Sequence, residues 1–255
     1  MGAFRTSNPT LTEKIFDKSL NENSAAFGVM SLRGTINKFG FLLLMVMASA
    51  MYTWNLFTQE TAGTATTVMI AGAIGGFILA LVMMFKPNWA GYIAPAYEIL
   101  EGLFIGGISA FFNAMFAKSY PNIILHAVGL TLGVALAMFL LYNFRIINVT
   151  NRLRSIIISA TMGIGLFYLI VWILGFFGVN MGFAFDSSPL SIGISLFIVG
   201  IAALNLLLDF DSIEKAAEMG APKYMEWYGA FGLLVTLVWL YLEILKLLSK
   251  LNSRN

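Results

Sequence analysis

From position 36 onward the chain alternates between long apolar runs and short polar breaks. Seven runs stand out, at 36–57, 66–85, 92–116, 122–142, 155–178, 189–209 and 227–248. Each is about 20 residues or more, enough to cross a hydrocarbon core of roughly 30 Å as a helix. A closed barrel would need alternating segments of about ten residues, and these runs are continuous. A segment in lipid must also satisfy its own backbone, which a helix does internally. The breaks at 59–65, 86–90, 118–121, 143–154, 179–188 and 210–226 carry turn residues such as Pro87 and Pro121, and none is long enough to hold a soluble domain. The pattern predicts an all-α membrane protein, a seven-transmembrane-helix bundle. Its parts are a polar cytoplasmic N-terminal segment (1–35), the helical domain (36–248) and a short C-terminal tail (249–255).

Composition agrees with this reading and narrows the chemistry. The 255 residues are 59% hydrophobic and 11% charged, where a soluble domain carries about a quarter charged residues. A net charge of +2 is too small for a phosphate-reading surface, so no nucleic-acid partner is expected. With no Cys there is no disulfide or thiolate chemistry. One His, His126, makes no zinc site, and it is expected to be a structural hydrogen-bonder. Gly107-Ile108-Ser109-Ala110 lacks the last glycine of a nucleophile elbow, and no phosphate-cradling glycine loop occurs. Neither an enzyme nor a cofactor is expected.

The N-terminal region has no apolar stretch before Ile36, so a cleavable signal peptide is not expected. Lys and Arg in the short loops number eleven on the N-terminal side and four on the other. The positive-inside rule then puts the N-terminus in the cytoplasm and the C-terminus outside. Trp54, Trp89 and Trp227 lie at span ends, where interfacial aromatics belong. The pairs Gly72/Gly76, Gly102/Gly106 and Gly129/Gly133 predict close helix contacts in the second, third and fourth spans.

Acidic residues inside the apolar runs carry the functional signal. Glu98 and Glu101, three apart in the third run, share a helix face. Asp209 and Asp211 end the sixth run, and Glu243 lies well inside the seventh. An ionisable group near the bilayer centre costs roughly 2.5–3.5 kcal/mol on insertion scales, so each needs a compensating partner. Runs two to six contain no Lys or Arg, which leaves Lys38 and Lys246 as the cations within reach. Two cations cannot neutralise five acids. Some of these carboxyls must therefore be protonated, share a proton, or meet a cation or a file of water.

Several segments resemble the Bax inhibitor-1 (transmembrane Bax inhibitor motif) family, in its bacterial branch. Phe210-Asp211-Ser212, then Ile213-Glu214-Lys215-Ala216 and Gly220, is similar to the segment that ends the family's sixth helix. Leu240-Tyr241-Leu242-Glu243-Ile244 resembles the acidic motif of its last helix, with Glu in place of Asp. Met30 to Lys38 is similar to the opening of its first helix, and Ala203 to Asp211 and Met225 to Tyr228 look like the bacterial members. The resemblance implies a central last helix and a pH-sensitive passive calcium leak channel. In that scheme a carboxylate pair sharing a proton closes the pore, and its ionised form can hold Ca²⁺ transiently. Carried over, the pair is Asp211 and Glu243.

Thirty-two positions separate those two acids. A last helix entering the membrane at Trp227 would carry Glu243 about 24 Å along its axis, which leaves Glu226 as an alternative partner for Asp211. Glu101, Glu98 and Asp209 are expected along the cation path or as further partners. The expected surroundings are the lipid bilayer of a bacterial cytoplasmic (inner) membrane, with Ca²⁺ and protons as the small partners and a membrane-protein partner left unidentified. Two rival readings use the same residues: a proton-coupled secondary transporter, and a non-transporting membrane regulator that binds a quality-control protease or a cell-death factor.

Overall fold

The computed structural model describes residues 28–59, 62–178 and 186–253. Most of the polar N-terminal segment, the last two residues of the tail and much of the fifth linker lie outside the described residues. Within them run seven helices long and apolar enough to cross a membrane. They are α1 (Leu32–Thr58), α2 (Ala62–Phe85), α3 (Ala90–Phe116), α4 (Ile123–Asn143), α5 (Asn151–Phe176), α6 (Pro189–Glu218) and α7 (Met225–Ser253). A single 3-10 turn at Pro87–Trp89 leads into α3. There is no strand among the described residues, only one backbone bridge between Val29 and Pro222.

Every predicted run is a helix, and the differences lie at the ends. Ser31 starts α1 four residues before the apolar run does, its hydroxyl accepting from the Gly34 N–H at 3.0 Å. Thr150 does the same for α5, accepting from Leu153 N–H at 3.2 Å. That cap draws Arg152 and Arg154, expected in a loop, into the first turn of the helix. The largest revision is in α6. The stretch from 210 on was expected to be a linker, yet the helix continues through Asp211 to Glu218. It stops at Gly220, whose φ of 73° suits a residue without a side chain. The Gly220 N–H bonds the Ala217 carbonyl at 3.1 Å and the Ala221 N–H bonds Ala216 at 3.0 Å, a paired closure of the last carbonyls. Asp209 and Asp211 are therefore interior helix residues.

The helices form two compact units. The first takes in α1, α2, α3 as far as Met115, and the segment Ser212–Val235 from the end of α6 and the start of α7. Small residues close this unit. A side-chain carbon on Gly106 would lie 2.2 Å from the Ala50 carbonyl oxygen, and one on Gly102 would lie 2.4 Å from that of Val46, both on α1. On α2, Gly72 is pressed in the same way against the Leu100 carbonyl at 2.5 Å. The second and third spans thus pack as their glycine pairs predicted. The fourth does not: among the described residues nothing lies within 4 Å of such a carbon on Gly129 or Gly133.

The second unit comprises α4, α5, α6 up to Asp211 and α7 from Thr236. Its core includes Ile164, Ile198 and Ile201, with Tyr168, Leu204 and Trp239 packed around them. The last helix is the most enclosed of the seven. In its most apolar stretch 67% of residues are buried, against 17% in α2.

Candidate functional site

Buried acids paired with a cation lie in both units. In the second unit the α5 cap places Arg154 one turn into the helix, where it is 3% exposed. Its guanidinium Nη2 donates to Asp211 Oδ2 on α6, and the carboxylate is buried as well. Sequence reading missed this partner because hydropathy alone starts the fifth span at Ser155. The helix-starting Thr150-Asn151 pair is the signal that would have found it. Nearly two turns nearer the start of α6, Asn205 Nδ2 donates to Thr161 Oγ1 of α5 at 2.8 Å and to the Ile201 carbonyl at 2.9 Å. Between these two, the fully buried Asp209 accepts from the Thr236 hydroxyl of α7 at 2.5 Å.

Glu243 stands at a different level. Its Oε1 accepts from Lys246 Nζ at 2.9 Å and from the Tyr168 hydroxyl at 3.2 Å. The Lys246 ammonium also lies 4.9 Å from the centre of the Tyr168 ring. Glu243 is 1% exposed, while its cation reaches toward the surface. One turn further on, Lys250, expected in the tail, is buried within α7 and donates to Ser191 and Ser195 of α6 at 2.8 and 2.9 Å.

Asp211 and Glu243 are not brought together. Each is anchored to α5, Asp211 through Arg154 and Glu243 through Tyr168. Those two anchors are fourteen positions apart, which is about 21 Å along a helix axis. A single proton cannot be shared across that span. The expected pair is replaced by two separate stations, each with its own cation.

In the first unit Glu226, at the start of α7, is 2% exposed and accepts three donors. The Ser31 N–H binds its Oε1 at 2.9 Å and the Ser31 hydroxyl at 3.0 Å, while Lys38 Nζ pairs with Oε2. Glu226 is thus the lock between the start of α1 and the start of α7, a place it shares with backbone bonds from Met30 N–H to Ala221 O and from Lys223 N–H to Gly28 O. A side-chain carbon on Gly34 would lie 2.2 Å from Glu226 Oε1, so a larger residue there must move the carboxylate. His126 stacks on Tyr120 with ring centres 5.3 Å apart.

Glu98 and Glu101 differ from the other acids. Glu98 is fully buried, and among the described residues neither of its oxygens has a hydrogen-bond donor. Glu101 Oε1 accepts from the Tyr97 hydroxyl at 2.9 Å, while its Oε2 is buried without a donor. The expectation that most intramembrane acids lack a cation therefore holds for this pair and fails for Asp211, whose cation is Arg154. Among the described residues no cluster of three or more acids or histidines forms a metal-binding group.

No curated protein matches the chain, and no solved structure does. A family model does, the one described as Bax inhibitor 1 like, and it covers residues 8–253. That span takes in all seven helices and both sets of buried charges, so this multi-pass membrane protein belongs to the Bax inhibitor 1 like family.

Proposed function

We propose that the protein is a passive, proton-sensitive cation leak, with Ca²⁺ as the expected permeant ion and Asp211 and Glu243 as its ionisable gate. One observation carries this reading: buried carboxylates inside membrane-crossing helices, each held by a donor that another cation or a proton could replace. Asp211 is held by Arg154 and Glu243 by Lys246 and Tyr168. A carboxylate that takes up a proton releases its guanidinium or ammonium partner. Ionised, it offers hard oxygen ligands to a Ca²⁺ ion that displaces that partner. Membership of the family supports a membrane-embedded, channel-like role of this kind. The positive-inside count favours a cytoplasmic N-terminus, and the resemblance to bacterial members favours a bacterial inner membrane.

Purified protein in liposomes loaded with a Ca²⁺ indicator tests the reading, with the membrane potential clamped and pH varied. A leak gives flux down the Ca²⁺ gradient with no counter-gradient of protons. Flux that appears only with an opposing proton gradient would make the protein a coupled transporter instead. Absence of flux in folded protein under both conditions leaves the regulator reading. Asp211→Asn and Glu243→Gln should each alter the pH profile; if both leave it unchanged, the gate lies elsewhere.

A further inference from the structure

We infer that Glu98 and Glu101 form a carboxyl dyad that shares one proton, with Tyr97 as its hydroxyl donor, and that this dyad is a second titrating site of the protein. Its consequence for flux rests on the leak reading above; its existence does not.

Three observations lead to it. The first is placement: positions three apart on α3 put both carboxyls on one face of the helix, where such side chains are neighbours. Two carboxylates have four acceptor atoms and no donor, so a bond between them requires a proton. The second is isolation. Glu98 is 0% exposed with both oxygens lacking a donor, and Glu101 Oε2 is shut off in the same way. Two charges side by side in such a place cannot both persist, and one bridging proton converts an orphaned acceptor into a bonded one. The third is the surroundings. The ionisable groups that act on the pair are the two acids themselves and Tyr97. Along α3 the packed neighbours are Val46, Ser49 and Ala50 of α1 and Gly72 and Gly75 of α2, and Tyr97 meets Phe231 of α7, against which the buried phenol of Tyr228 also packs.

The fixed donor is Tyr97. Its ring packs edge-on against Phe231 with centres 4.7 Å apart, which holds the hydroxyl on Glu101 Oε1. The proton then belongs between Glu98 and the remaining Glu101 oxygen. When the proton leaves to solvent, the dyad carries two adjacent negative charges with one hydroxyl to stabilise them. That state draws in water or a cation, a change that would couple external pH to conduction.

Infrared difference spectra of the full-length protein in lipid nanodiscs, recorded across a pH titration in H₂O and D₂O, test the dyad directly. The expected result is a protonated-carboxyl carbonyl band that disappears in Glu98→Gln and in Glu101→Gln and shifts in Tyr97→Phe. A band that survives unchanged in both Gln variants overturns the dyad. Should either Gln variant fail to fold, Tyr97→Phe decides, because it keeps both acids: an unshifted band overturns the assignment. In liposomes the Gln variants should flatten the pH dependence of Ca²⁺ flux. Wild-type flux with unaltered pH dependence in both variants removes the dyad from gating and leaves the leak standing. No wild-type flux together with the expected infrared changes overturns the leak and leaves the dyad.

Discussion

Arg154 and Asp211 form a buried ion pair from α5 to α6, with side chains only 4% and 8% exposed. Removing one partner of such a pair leaves the other charged and unsatisfied, at a cost of about 3–5 kcal/mol. Arg154→Gln should therefore lower stability by an amount near that range in a detergent or bicelle unfolding titration. The double variant Arg154→Gln/Asp211→Asn removes both charges and should lose clearly less than the sum of the single variants. Additive losses would mean that the two side chains do not interact.

Two glycines of similar sequence context should respond in opposite directions. Gly106→Ala forces a methyl group against the Ala50 backbone of α1, 2.2 Å from its carbonyl oxygen. Overpacking of this type costs about 1–3 kcal/mol. Gly129→Ala meets open space and should be neutral or gain up to about 1 kcal/mol of helix propensity. Thermal shifts of the two variants in the same detergent check the contrast, and equal destabilisation would contradict the packing described for α3 and α1.

The link from Asp209 to Thr236 gives a third test. Thr236→Val keeps the shape and removes the hydroxyl that donates to a fully buried carboxylate. A hydrogen bond to a charged group contributes roughly 1.5–3 kcal/mol, and Val should lose most of it. Thr236→Ser restores the donor and should recover stability to near the parent value, so Ser and Val behaving alike would show that the hydroxyl is not used.

At the start of α1, Gly34→Ala should act through a residue 192 positions away. The added methyl group displaces the Glu226 carboxylate from the Ser31 N–H and hydroxyl. The expected loss is about 1–3 kcal/mol. In a Glu226→Gln background the same substitution should cost measurably less, because part of what it disrupts has already been weakened. A double-mutant cycle with no coupling would place Glu226 away from Gly34.

Much of the fold is legible in one dimension. Span number and approximate position follow from run length and apolarity, because a helix in lipid needs only enough consecutive apolar residues to cover its backbone. The polar ends are harder to read. Thr150 and Ser31 extend α5 and α1 through caps, and Gly220 closes α6 eleven residues after the apolar run ends at Asp209. These shifts matter because they move Arg154 and Asp211 from presumed loops into helices.

Glu98 and Glu101 could be recognised as costly from position alone, since apolar sequence follows them and a three-residue spacing sets their common face. The partners of the other acids could not. Arg154 meets Asp211 across 57 positions and Lys38 meets Glu226 across 188. Which helices become neighbours, and at what height their side chains meet, depends on packing of small residues such as Gly102 and Gly106 against α1. Hydropathy and spacing describe each helix against lipid; only the assembled helices decide which buried acid finds a cation and which must find a proton.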